Sequence, residues 1–283
     1  MLKSDKISIL DEFELPSLPQ IYFQIREAIN EPTISIEEIG SLISKDTSLS
    51  ASVLRYANSA MYGTSQRIDT VTRALVRIGT QELNSIVLGA TITSLFKGIP
   101  EDLINMRLFW KHSISCGIMA KCIATYLDLA DIDRYFTAGL LHDLGKLVLY
   151  KNMTEKSKRI LLNCVKNKKL HHLEEKEILG FDHTHVGKIL LVKWHIPDSI
   201  KTMIIFHHNP ENTKNQFRDT SILHLADIIV NGLQFGNSGA YFVPILSEEA
   251  WKSTRLSPAM IPPIINHAEV QIKDTIQSII SND

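Results

Sequence analysis

The chain has 283 residues, of which 44% are hydrophobic and 22% charged, with a formal net charge of −1. That length allows one large core or two smaller ones. The near-neutral charge excludes an electrostatic footprint for nucleic acid or an anionic membrane. Three cysteines, Cys116, Cys122 and Cys164, form no CxxC pair and no even disulfide framework. Cys116 and Cys122 read as small core residues within a helical apolar pattern. The basic cluster Lys166 to Lys169 reads as a solvated helix end. Met1 to Lys6 lacks the apolar region of a signal peptide. The uncharged run Leu83 to Phe96 is shorter than the roughly 20 residues of a bilayer span. A cytoplasmic location with no membrane and no nucleic-acid partner is expected.

Helical periodicity dominates. Ile21, Ile25 and Ile29 stand four apart on one predicted helical face, after Pro16 and Pro19 have stopped any earlier helix. Ser35 and Glu38 resemble a capping box opening a second helix. A third begins near Asp46 and carries Leu49, Val53, Leu54 and Ala57 on one face. Two more are predicted over 70–78 and 81–96, with Gly79 between them. Lys97-Gly98-Ile99-Pro100 is the clearest internal break. Beyond it, helices are predicted at about 102–127, 133–149, 154–168, 173–179, 182–194, 197–206 and 217–233. Residues 234–263 read as loop plus a short helix, followed by an amphipathic helix at about 262–280. Alternating strand patterns are absent. The expected fold is all-α and two-lobed, with residues 1–100 as an N-terminal helical bundle and 101–283 as a second helical core that includes the C-terminal helix.

His142 and Asp143 stand side by side among Leu140, Leu141, Leu144, Leu147 and Leu149. A carboxylate there is penalised by several kcal/mol unless a counter-charge meets it. A divalent metal supplies that charge, and adjacent His and Asp offer it N and O ligands. Asp227 lies in a similar apolar run, and His207-His208 follow Met203 to Phe206 at a helix end. His112 and His183 complete the candidate ligands: His112, His142, Asp143, His183, His207, His208 and Asp227. His171, His172, His195 and His267 read as ordinary surface or core histidines, and two-residue spacing turns His185 away from His183. Imidazole and carboxylate without thiolate favour Fe or Mn over structural zinc. One or two ions are expected; two metals bridged by Asp143 would be a device for phosphate-ester hydrolysis.

The spacing of His112, His142-Asp143 and Asp227 resembles the H…HD…D pattern of the HD superfamily of metal-dependent phosphohydrolases. The chain is similar, more closely, to the HDOD family, the HD-related output domain of bacterial signalling proteins. Matching stretches include Ile43 to Ser50, Leu54 to Ala60 with Tyr62-Gly63, Ala74 to Gly79, Phe109 to Ser113, Ala138 to Lys146 and Gly180 to His183. The match continues through Val186-Gly187, Lys193 to Pro197, His207-His208 and Leu225 to Asp227, covering about residues 15–230. The resemblance implies an N-terminal helical lobe packed on an HD-like core and a role in signal output. It also implies that His112, His142, Asp143 and Asp227 hold a first metal. His183, His207 and His208 match second-metal ligands of the related HD-GYP phosphodiesterases, and Lys146 matches a lysine that can meet a substrate phosphate. Lys146 and Asp143 are therefore the candidate catalytic residues. Residues 207–216 contain no Gly-Tyr-Pro, which disfavours cyclic-di-GMP as substrate. Two functions are expected to compete: a signalling module acting through a protein partner or small phosphorylated ligand, and a metal-dependent phosphohydrolase. Asn58 to Gly63 is a candidate partner loop, or simply a helix end and turn.

Overall fold

Local chemistry sets the first helices. The structure, a computed structural model, describes residues 12–59 and 67–279. Helix α1 (Gln20–Asn30) follows Pro19 and buries Tyr22, Ile25 and Ala28. This three-residue stripe leaves Ile21 and Ile29 half-buried on its margins. Helix α2 (Ile36–Ile43) starts with the expected capping box: Glu38 N donates to Ser35 Oγ, and Ser35 N donates to Glu38 Oε2. Asp46 caps α3 (Thr47–Ala57) by accepting from the amides of Ser48 and Leu49. Thr70 caps α4 (Val71–Ile78), and Gly79, at φ +85°, makes the left-handed turn into α5 (Thr80–Leu95). Asn58 is structural: its side chain bonds Leu54 O and both backbone groups of Ile68. The rest of the candidate partner loop from residue 60 lies outside the described residues.

After the Gly98 break comes α6 (Met106–Tyr126), capped by Asn105 and buried almost continuously from Phe109 to Ala124. It packs against α7 (Asp133–Leu141) and α13 (Phe217–Gly232). Helices α8 (Leu144–Asn152), α9 (Thr154–Asn167), α10 (His171–Leu179), α11 (His183–Lys193) and α12 (Asp198–Phe206) complete the shell around the site. A short helix α14 (Glu248–Thr254) and the final α15 (Ile261–Ile279) follow. All regular elements among the described residues are helical. None of their helices is long and apolar enough to cross a membrane.

Two differences from the sequence reading matter. The single helix expected over 133–149 is broken at His142-Asp143 into α7 and α8. Asp143 leaves helical geometry, at φ −101° and ψ 3°, and its carbonyl accepts only a three-residue turn bond from Lys146 N. The other difference is the division of the chain. Among the described residues, one packed unit comprises those of 12–17 and 98–265 and the other those of 18–59, 67–97 and 266–279, in place of two continuous segments 1–100 and 101–283. The N-terminal stretch joins the first unit because buried Trp194 donates from Nε1 to Pro16 O at 2.9 Å and Lys193 Nζ donates to Leu15 O at 2.8 Å.

Gly117 on α6 and Gly139 on α7 bring those two backbones into direct contact; a Cβ at Gly139 would collide with the Gly117 main chain. Gly139→Ala should therefore destabilise the protein by about 1–3 kcal/mol through overpacking. Gly187→Ala, whose new Cβ would meet nothing nearer than 4.0 Å, should instead stabilise α11 by about 0.5–1 kcal/mol. Urea denaturation of both variants checks the opposite signs.

Candidate metal centre

The break between α7 and α8 places His142 and Asp143 in the middle of the first unit. His112 reaches them from α6, Asp227 from α13, His183 from the first turn of α11, and His207-His208 from the end of α12. Nitrogen and oxygen atoms converge closely. His112 Nε2 lies 3.3 Å from His142 Nε2 and 3.3 Å from Asp227 Oδ1. His142 Nε2 lies 3.2 Å from Asp143 Oδ2 and 3.6 Å from Asp227 Oδ1. On the other side of Asp143, Oδ1 is 3.3 Å from His183 Nε2, which is 3.2 Å from His208 Nε2. All seven expected ligand residues are thus brought together, in groups that share His142, His183 and His207.

The protonation pattern points to a cation. His142 Nδ1 donates to Gly139 O and His207 Nδ1 to Ile204 O, each at 2.7 Å. In the neutral rings this leaves Nε2 with its lone pair facing the cluster. His207 Nε2 is buried with no hydrogen-bond partner. A buried lone pair without a donor is costly, and a metal ion satisfies it. Across the cluster, His183 Nδ1 donates to Glu175 Oε2 at 2.6 Å, a carboxylate–histidine pair of the kind that orients metal-binding imidazoles. Residues and metal therefore fit: buried imidazole lone pairs, two carboxylates and oriented rings surround one region.

The electrostatics of the metal-free chain are those of proton-compensated carboxylates. Burial pushes Asp143 up, but His142 and Lys146 hold it well below the ordinary carboxylate range. Burial likewise opposes Asp227, whose bonds from His112 and His142 keep it well below that range. His142 is driven down by burial yet pushed up overall, to about 10, by Asp143 and Asp227. His207 is pushed down to about 3 by burial and by the charge on His142. Lys146 is buried, with Nζ donating to Asp143 Oδ2 at 2.8 Å and to Ser238 Oγ at 3.1 Å. Its ammonium is engaged in neutralising Asp143.

Sequence reading missed four participants. Cys116, read as core filler, sits with Sγ 3.6 Å from His112 Nε2 and 3.8 Å from Asp227 Oδ1. The ligand region therefore contains a thiol, contrary to the thiol-free set expected. His171 and Glu175 are buried beside His183, and His172 stacks on His208 with ring centroids 3.9 Å apart. The available signal was helical spacing: Cys116 follows His112 by four residues, as Glu175 follows His171, so each pair shares a helix face. His185 turns outward, with its side chain 60% exposed and Nδ1 bonded to Asp182, as its spacing implied.

The centre is nearly closed, with His208 alone of the seven candidate ligands half-buried. The void beside it measures about 10 Å³ and is lined by Lys146, His171, His172, His208, Asp227 and Phe242, among others. That is room for about one water-sized sphere. Its cover is the irregular segment 236–246. Asn237 N bonds Leu108 O, and the Ser238 carbonyl accepts from Tyr150 Oη. From Ala240 to Leu246, no backbone N–H is hydrogen-bonded among the described residues.

The HDOD domain family model matches residues 15–210 of this chain. The chain belongs to the HDOD family. A crystal structure of an HDOD domain protein of unknown function from Geobacter sulfurreducens is similar, with a TM-score of 0.80 and 24% identity over 98% of this chain and 99% of that one. A Shewanella amazonensis SB2B protein named as a candidate phosphohydrolase superposes with a TM-score of 0.78 at 21% identity, over 98% of each chain. Both likenesses carry the fold. An uncharacterized protein of Treponema pallidum (strain Nichols) is 24% identical over 213 residues, 75% of this HDOD chain, which spans 41% of that relative's length.

The charge pattern sets a pH dependence for the metal-free protein. His207 stays neutral in the folded state down to about 3, whereas in the unfolded chain it takes a proton below about 6.5. Stability from this group is complete above that value and is lost as pH falls toward about 3. Glu175, held low by His183 and His171 against its burial, acts with the same sign at more acid pH. His142 acts oppositely: its contribution is present below about 6.5 and fades as pH rises through about 10. Thermal melts in chelator should show both limbs, and His207→Asn should flatten the acid one; an unaltered acid limb would contradict the assignment.

Proposed function

We propose that this chain is a signalling output module in which the HD-like core holds a divalent metal for structure. It would act on a protein partner or a small phosphorylated ligand. The observation supporting this reading is the near-closure of the donor cluster, in which only His208 is half-buried. His112, His142, Asp143, His183 and His207 are each at most 1% exposed, and Asp227 is 4% exposed. A catalytic metal keeps an open position, whereas a structural one is enclosed by protein groups. Lys146, matched to a phosphate-meeting lysine, is also buried and faces Asp143 and Ser238 instead of solvent.

A second reading, a metal-dependent phosphohydrolase, draws on two features. Asp143 presents its two oxygens to different histidine groups, and the cover from Ala240 to Leu246 lacks backbone bonds that would hold it shut. When bound, a divalent metal supplies Lewis-acid polarisation of a phosphoryl oxygen. For that chemistry, Phe242 and Ala240 would have to leave the wall they share between the small void and an outer cavity of about 440 Å³.

Plasma mass spectrometry on protein purified without an affinity metal decides between them, beside an Asp227→Ala control and an assay on bis-(p-nitrophenyl) phosphate. The signalling reading expects bound metal, lost in the control, and no hydrolysis. Hydrolysis that disappears in the control would favour the enzyme, and negligible metal in both proteins would remove the metal centre. Chelation should also lower stability, by about 2.7 kcal/mol relative to metal at a hundredfold excess over its Kd. That loss should vanish in Asp227→Ala and persist in His267→Ala.

A further inference from the structure

We propose that Cys116 is a metal ligand, completing with His112, His142 and Asp227 a four-donor site of the zinc type. The inference rests on the metal-centre reading above and specifies one of its positions. One ligand atom from each residue lies within 4.8 Å of the others, and all four residues are buried.

The spacings between these donors decide the matter. A tetrahedral ion with about 2.0–2.1 Å bonds to nitrogen and about 2.3 Å to sulfur sets N–N edges near 3.3 Å and N–S edges near 3.6 Å. The His112 Nε2–His142 Nε2 separation is 3.3 Å, and His112 Nε2–Cys116 Sγ is 3.6 Å. The edges to Asp227 Oδ1 are 3.3 Å from His112, 3.6 Å from His142 and 3.8 Å from Cys116. Five edges of one tetrahedron are therefore close to the lengths that a small ion requires. Cys116 and His112 reach the same point because residues four apart on α6 share a face.

Charge leads to the same site. Asp143 already has the Lys146 ammonium at 2.8 Å. Asp227 has no lysine or arginine partner among the described residues. A dication held by Asp227 and the Cys116 thiolate forms a neutral group, so no net charge is buried. On binding, the Cys116 S–H bond breaks, its electron pair forms the sulfur–metal bond, and the proton leaves to solvent. No oxidation occurs. A thiolate ligand favours zinc over manganese, reversing the preference drawn from imidazole and carboxylate alone.

Cobalt(II) substitution of the full chain tests this without reference to activity. Metal-free protein titrated with cobalt should develop a near-ultraviolet sulfur-to-cobalt charge-transfer band and the intense visible bands of four-coordinate cobalt. Cys116→Ser should lose the charge-transfer band and weaken cobalt binding at least tenfold, while Cys164→Ser should retain both. Circular dichroism verifies that each variant is folded. If Cys116→Ser fails to fold, the wild-type spectrum still decides, since the band is either present or absent. Cobalt bound without that band, or a band unchanged in Cys116→Ser, would overturn the ligand assignment and leave the metal centre standing. No bound cobalt in wild type would overturn both.

Discussion

Two carboxylates buried in a helical core are the constraint on which the rest of the first unit depends. Asp143 and Asp227 are 1% and 4% exposed, and an ionised carboxylate out of water costs several kcal/mol unless it is paired. Their nearest charged and titratable neighbours supply positive charge or a place for it. Lys146 meets Asp143 directly, and the imidazoles of His112 and His142 lie between the two acids. Without metal, protons perform this compensation, which is why His142 is pushed up to about 10 while His207 beside it is pushed down to about 3.

Local backbone devices make that arrangement possible. The helix interruption at His142-Asp143 releases the dyad from the α7–α8 line, and the glycine contact between α6 and α7 brings His112 close enough to share its ligand region. The carbonyls of Gly139 and Ile204 fix two rings by their Nδ1 atoms, and Glu175 fixes a third. Such bonds cost the rings little freedom on metal binding, since their orientation is already set.

Closure links this geometry to function. The segment from Asn237 to Pro244 is fastened to Leu108, Lys146 and Tyr150 at one end and lies across the centre at the other. In the proposed reading, a metal bound here would hold α6, α7, α8, α11, α12 and α13 together from within, as structural metals do. A module stabilised in that way would offer its surfaces, not its metal, to a partner.

Much of the fold was legible in the chain itself. The capping pairs Ser35–Glu38 and Asp46–Ser48, the apolar periodicity and the break at Gly98 are local, and local hydrogen bonds realise them. The gathering of the seven candidate residues was legible because a charged or titratable group in an apolar run needs a partner, whatever the fold. Tertiary structure decided what those runs could not express. It broke one expected helix at the dyad, carried residues 14–16 onto Asn152, Lys193 and Trp194, and laid an irregular strap over the centre. It also turned Cys116, an ordinary apolar position by sequence, toward His112 and Asp227. Sequence records which side chains need a counter-charge; only packing between distant helices determines which atoms stand within a bond's reach of each other.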